Sequence, residues 1–173
     1  MKRTWVSGTL ATALLLVFSS LAFGERAVFV VRHAEKASEA NDASVPLSEA
    51  GTARAKRLAA ILKDAGISAV YSTDTVRTRK TAEPLATLAR TDVRIYEATA
   101  ADGKVNVQPL AERLQREHGK DAVLVVGHGN TIGPLLAALG CTEEVSIGGN
   151  EYDNLFVVVA CGSGSPVLLR LRY

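Results

Sequence analysis

An α/β domain with a mostly parallel sheet and helices on both faces is the fold class predicted by this sequence, and three observations predict it. Short apolar runs rich in β-branched residues alternate with segments whose apolar positions repeat at helical spacing, the order of a βα repeat. The runs are continuously apolar, as strands buried on both faces are. Two of them, VFVVRH and VLVVGH, end in a histidine.

The elements follow in chain order. Lys2 and Arg3 precede an uncharged stretch from Thr4 to Gly24 that contains LATALLLVFSSLAFG. With small residues at Ala22 and Gly24, residues 1–24 read as a secretory signal peptide cut before Glu25, leaving a domain over 25–173. An uncleaved membrane anchor is the alternative, because the apolar stretch is almost long enough to span. A first strand is predicted over 26–31, then a polar loop over 37–47. Ser48 is the expected N-cap of a helix that stops at Gly66, with Ala55, Leu58, Ala59, Leu62 and Ala65 on its apolar face. A short strand over 67–71, a helix over 75–88 and a strand in DVRIYEA follow. After a loop over 98–104 comes a helix over 105–118 ended by Gly119, then the strand AVLVVGHGN and a helix over 131–139. YDNLFVVVA and PVLLRLRY close the chain as strands.

Composition narrows the function classes. The chain has 173 residues, one domain's worth, and 47% hydrophobic residues can build a core. Its formal charge is +2, and loss of Lys2 and Arg3 leaves 18 basic against 18 acidic residues. A neutral mature chain offers no electrostatic case for nucleic acid, and no stable membrane insertion is expected once the leader is cleaved. No Cys/His spacing resembles a zinc site. Cys141 and Cys161 would meet an oxidising compartment after export, either as a disulfide or as two small buried residues.

The chemistry gathers at strand ends. Ligand sites of open α/β sheets lie outside the carboxyl ends of the strands. His33 and His128 are delivered there, and they face one crevice if their strands are neighbours. YSTDTVRTRKTA turns from a strand into a helix with Arg77 in its first turn, and a helix N-terminus favours anions. Arg79 and Lys80 read as surface residues. His118, at a helix end where the dipole favours a cation, reads as structural. Arg32, Arg77, His33 and His128 together form a strongly positive cluster in a neutral chain. Guanidinium forks match phosphate oxygens, and a neutral imidazole is a nucleophile toward phosphorus. Such a cluster suits metal-free, cofactor-free phosphoryl transfer.

RHAEK, STDTVRTRKTA and VVGHGN, in this order, resemble the histidine phosphatase superfamily, also called phosphoglycerate mutase-like. Ala34 stands where the family usually has glycine after Arg-His. The resemblance implies a three-layer αβα sandwich. It implies His33 as the nucleophile that becomes phosphohistidine, Arg32 and Arg77 as holders of the phosphoryl oxygens, and His128 as a further donor. It also implies a carboxylic acid after the third strand as proton donor. Glu97 is the first choice and Asp102 the second. Gly129 occupies the position where another branch of the family carries aspartate. Glu35 and Lys36 either touch substrate or form a solvated loop pair. The implied activity is a phosphoric monoester hydrolase, periplasmic or secreted (membrane-anchored if the leader stays). Its substrate would be a phosphorylated small molecule or an envelope glycolipid phosphate. A catalytically weak phosphate-binding module and a phosphohistidine phosphatase are the alternatives.

Overall fold

The computed structural model describes residues 27–40, 42–160 and 164–173. The leader and Cys161 lie outside the described residues, while Cys141 is buried. The element order is β1 (Ala27–Arg32), α1 (Glu49–Leu62), β2 (Ile67–Ser72), α2 (Val76–Ala89), β3 (Val93–Ile95), α3 (Gln108–Glu117), β4 (Ala122–Gly127), α4 (Gly129–Ala138), β5 (Asn154–Val159) and β6 (Val167–Arg172). One sheet runs β3-β2-β4-β1-β5-β6. Its first four strands are mutually parallel, and β5 and β6 are each antiparallel to the strand before them in that order. No helix among the described residues is long and apolar enough to cross a membrane.

The continuous apolar runs have a structural cause. Val28 and Val30 of β1 pack with Val123 and Val125 of β4 under α3 and α4, against Leu110, Leu114, Ile132 and Leu136. The intervening Val31, Leu124 and Val126 face α1 and α2 and meet Leu58, Leu62 and Leu85. Both faces of the central strands are thus covered, so neither face of the pleat can be polar.

Several boundaries differ from the sequence expectation. β3 is three residues long, because the Tyr96 side chain turns into the core and its hydroxyl reaches toward Val126 O at 3.5 Å. The third helix begins at Gln108 rather than at 105. Thr99 and Val105 pair as an isolated bridge, and Pro109 fits the first helical turn, where a missing N–H costs nothing. α4 begins immediately after β4, with the His128 N–H donating to Thr131 Oγ1 at 2.9 Å. Ser48 does cap α1, accepting from the Gly51 N–H at 3.0 Å, but the helix ends at Leu62 and Gly66 lies in the turn beyond.

Gly51 ties this helix to the loop after β1. A Cβ there would collide with the backbone oxygen of Glu35, which itself accepts the Ser48 N–H at 2.9 Å. Gly51→Ala is therefore expected to destabilise the protein by about 1–3 kcal/mol through overpacking. Calorimetry would read a fall in Tm of roughly 3–10 °C. An unchanged Tm would show that the loop yields freely.

Candidate active site

Strand register builds the site. β1 and β4 are parallel neighbours, with Arg32 opposite Gly127. The chain leaves both strands at the same level, so His33 and His128 emerge side by side with ring centroids 5.4 Å apart. The His33 N–H still donates to Gly127 O at 2.9 Å. Gly127 is required by close approach, since a Cβ would stand 2.8 Å from Thr131 Oγ1 and 3.0 Å from the Tyr96 hydroxyl.

His33 is buried and its tautomer is fixed. Nδ1 lies 2.8 Å from Ala34 O, and a carbonyl only accepts, so Nδ1 carries the proton and Nε2 keeps its lone pair. The loop is held by the Ala34 N–H, which donates to Thr81 Oγ1 at 3.0 Å. Burial pushes the His33 pKa down to about 3, opposed by the Ala34 hydrogen bond and reinforced by His128, Arg32 and Arg77. Burial also lowers His128 to about 4, helped by Arg77 and Arg32. Both rings are neutral at neutral pH. His128 Nε2 lies 2.9 Å from Thr73 Oγ1, whose own hydrogen bond goes to Thr78 Oγ1 at 3.1 Å.

The two arginines close the site from opposite sides. Arg32 Nη1 donates to Gly148 O at 2.9 Å and Gly149 O at 2.7 Å, and its guanidinium lies 4.2 Å from the centroid of the Tyr152 ring. Arg77 comes from the first turn of α2, is only 8% exposed, and donates through Nη1 to Asp42 O at 2.8 Å. Both arginines bury Nε without a hydrogen-bond partner. Two orphaned guanidinium N–H groups at one cleft call for an explanation, and an anion bound between them supplies it.

Arg32, His33, Lys36, Arg77, His128, Gly129 and Gly149 line a cleft of about 480 Å³ at the N-terminus of α4. The structure thus gathers the four residues first singled out, together with Lys36. Among the described residues Lys36 Nζ makes long contacts, 3.3–3.4 Å, to the carbonyls of Ala40 and Glu39, and lies 3.9 Å from the Glu39 carboxylate. Glu35 does not line the cleft. It is locked to Arg54 at 2.7 Å, and Arg54 also donates to Tyr173 O, so the glutamate anchors the nucleophile loop to α1.

The two acid candidates separate. Glu97 is exposed and lines a hollow of about 230 Å³ that shares His128 and Asn130 with the main cleft. Asp102 lines neither space. Its carboxylate accepts the Lys104 N–H at 3.1 Å and pairs with Lys104 Nζ at 3.2 Å, which hold its pKa below the usual range. Arg79 and Lys80 are surface residues, paired with Asp74 and Glu83. His118 is structural for a different reason from its helix-end position. It is buried, with Nε2 at 3.0 Å from the Tyr71 hydroxyl and Nδ1 at 3.0 Å from Asp121. Tyr152, Thr73 and the Gly148–Gly149 carbonyls escape the sequence reading. The Gly-Gly pair signals a close backbone approach, yet nothing in sequence says to which residue.

The fold and the cleft define an α/β domain with two arginines and two neutral histidines around one opening. Residues 28–101 match the family model of the histidine phosphatase superfamily (branch 1). Among solved structures it is similar to the protein histidine phosphatase SixA complexed with tungstate. That likeness has a TM-score of 0.67 at 23% identity and covers 84% of this chain and 96% of the other. A mycobacterial glucosyl-3-phosphoglycerate phosphatase gives a TM-score of 0.62 at 17% identity, over 86% of this chain and 98% of that one. A phosphoserine phosphatase mutant from Entamoeba histolytica gives 0.61 at 16%, over 83% and 94%. At these identities the likeness is one of fold. No curated protein matches the chain.

Proposed function

We propose that the protein is an exported phosphatase that hydrolyses phosphomonoesters through a phosphohistidine on His33. The observation that carries this is the His33 ring: Nδ1–H bonded to Ala34 O, Nε2 free, neutral, and facing a cleft with two unsatisfied arginine N–H groups. Nε2 attacks phosphorus as the P–O bond to the alcohol breaks. Arg32, Arg77 and the α4 N-terminus take up charge on the equatorial oxygens, with Lys36 beside them. A phosphoryl dianion draws the His128 pKa upward, so this ring can join as a cationic donor. The leaving alkoxide takes its proton from the Glu97 carboxyl. Water then attacks the phosphohistidine, the P–N bond breaks, and inorganic phosphate leaves with His33 restored.

Export rests on the character of residues 1–24, and a periplasmic or secreted protein would meet an envelope glycolipid phosphate or another phosphorylated small molecule. The test is hydrolysis of p-nitrophenyl phosphate by the chain from Glu25 onward, with and without a chelator. Turnover that resists chelation supports the reading, and its absence ends it. Glu97→Gln is expected to slow an alkyl phosphate by about 10²-fold or more, and p-nitrophenyl phosphate, whose leaving group needs no proton, by much less. Equal slowing of both would remove Glu97 as the acid.

A further inference from the structure

The hollow beyond His128 has a chemical character of its own. It lies between the β2–α2 turn, which supplies Thr73, Asp74 and Thr75, and the segment after β3, which supplies Glu97 and Thr99. Asn130 joins it to the cleft that holds His33. Neither lysine nor arginine lines it, whereas Arg32, Lys36 and Arg77 line the neighbouring cleft. The side chains of Glu97, Thr99 and Asn130 make no hydrogen bond within the described residues, so their capacity faces solvent. Beyond Glu97 and Thr99 a second hollow of about 260 Å³ continues over Pro109 and Leu110 to Arg113. The main cleft is cationic and the hollow beside His128 is hydroxyl- and carboxylate-lined, so the two differ along the axis from phosphate to leaving group.

Resting on the phosphatase reading above, we propose that this hollow is a leaving-group subsite that selects neutral, hydroxyl-bearing alcohols of polyol or sugar type and rejects anionic ones. Thr99 and Asn130 offer neutral donors and acceptors to substrate hydroxyls. No lysine or arginine lines this hollow to pair a carboxylate or second phosphate, so an anionic leaving group loses hydration there without compensation, which selects by penalising the wrong ligand. The second hollow gives room for a leaving group larger than glycerol.

Glycerol 3-phosphate and 3-phosphoglycerate test this as a pair of matched size, with p-nitrophenyl phosphate as the reference ester. The native protein is expected to favour glycerol 3-phosphate over 3-phosphoglycerate in kcat/KM by about 10-fold or more. Thr99→Val is expected to lower the ratio of glycerol 3-phosphate to p-nitrophenyl phosphate turnover by about 5-fold. Equal rates on the matched pair, no turnover of glycerol 3-phosphate, or an unchanged ratio in Thr99→Val would overturn the subsite while the phosphatase reading stands. Failure to hydrolyse p-nitrophenyl phosphate would overturn the phosphatase reading and this inference with it.

Discussion

His33→Ala is expected to lower turnover of any phosphomonoester by at least about 10⁴-fold, because it removes the group that forms the covalent intermediate. Folding is expected to survive, since the imidazole's hydrogen bond runs to its own neighbour Ala34 and the strand pairing is backbone. Thermal unfolding and circular dichroism check the fold, while radiolabelled phosphate trapped by acid quench checks the chemistry. Label retained on the His33→Ala protein would move the nucleophile elsewhere. The same assignment fixes a pH dependence. An ordinary histidine loses activity as it protonates near pH 6.5. With His33 held at about 3 and His128 at about 4, both rings stay neutral until the pH falls through that range. The kcat/KM profile, corrected for ionisation of the substrate, is therefore expected to show no histidine limb between pH 5 and 7. A limb near 6.5 would contradict the buried, neutral nucleophile.

What the sequence discloses and what it hides divide along contact range. The ends of β1 and β4 are legible because each is a local pattern, an apolar run that stops at a histidine. Their adjacency is not, because two strands intervene in sequence and only the sheet order makes β1 and β4 neighbours. Ser48 is legible as a helix cap because that pattern too is local. The contacts of Arg32 are not, because its carbonyl partners lie 116 and 117 residues away in a loop with no periodicity. Glu35 reads from its place beside the nucleophile as either a substrate contact or a solvated loop residue, and only the approach of Arg54 from α1 shows it to be an anchor. His118 occupies the helix end that its neighbours in sequence suggest, yet one of its two side-chain partners is Tyr71, 47 residues earlier. Asp102 is different: the Asp-Gly-Lys turn that pairs it with Lys104 is local, and a closer reading of that tripeptide would have set it apart from Glu97.

Arg77→Ala is the second large effect. Arg77 is nearly buried, and the only hydrogen bond it makes through Nη1 leaves Nε unsatisfied beside a second guanidinium. Burial and the charge of Arg32 both work against its charged form, so in the empty protein the pair is a source of repulsion. That tension is relieved when a phosphoryl group with two negative charges enters, and it is relieved most when charge gathers on the equatorial oxygens in the transition state. Removing Arg77 is therefore expected to lower kcat/KM by about 10²–10³-fold, with little loss of stability in the ligand-free protein. Arg77→Lys restores the charge without the planar fork and is expected to recover only part of the activity. Vanadate separates binding from folding in this comparison. At 100 times its dissociation constant it stabilises the native protein by about 2.7 kcal/mol, visible as a rise in Tm. The rise is expected to disappear in Arg77→Ala at the same concentration. An Arg77→Ala protein that is stabilised by vanadate as strongly as the native chain would show that the oxyanion is held by Arg32 and the α4 N-terminus without it.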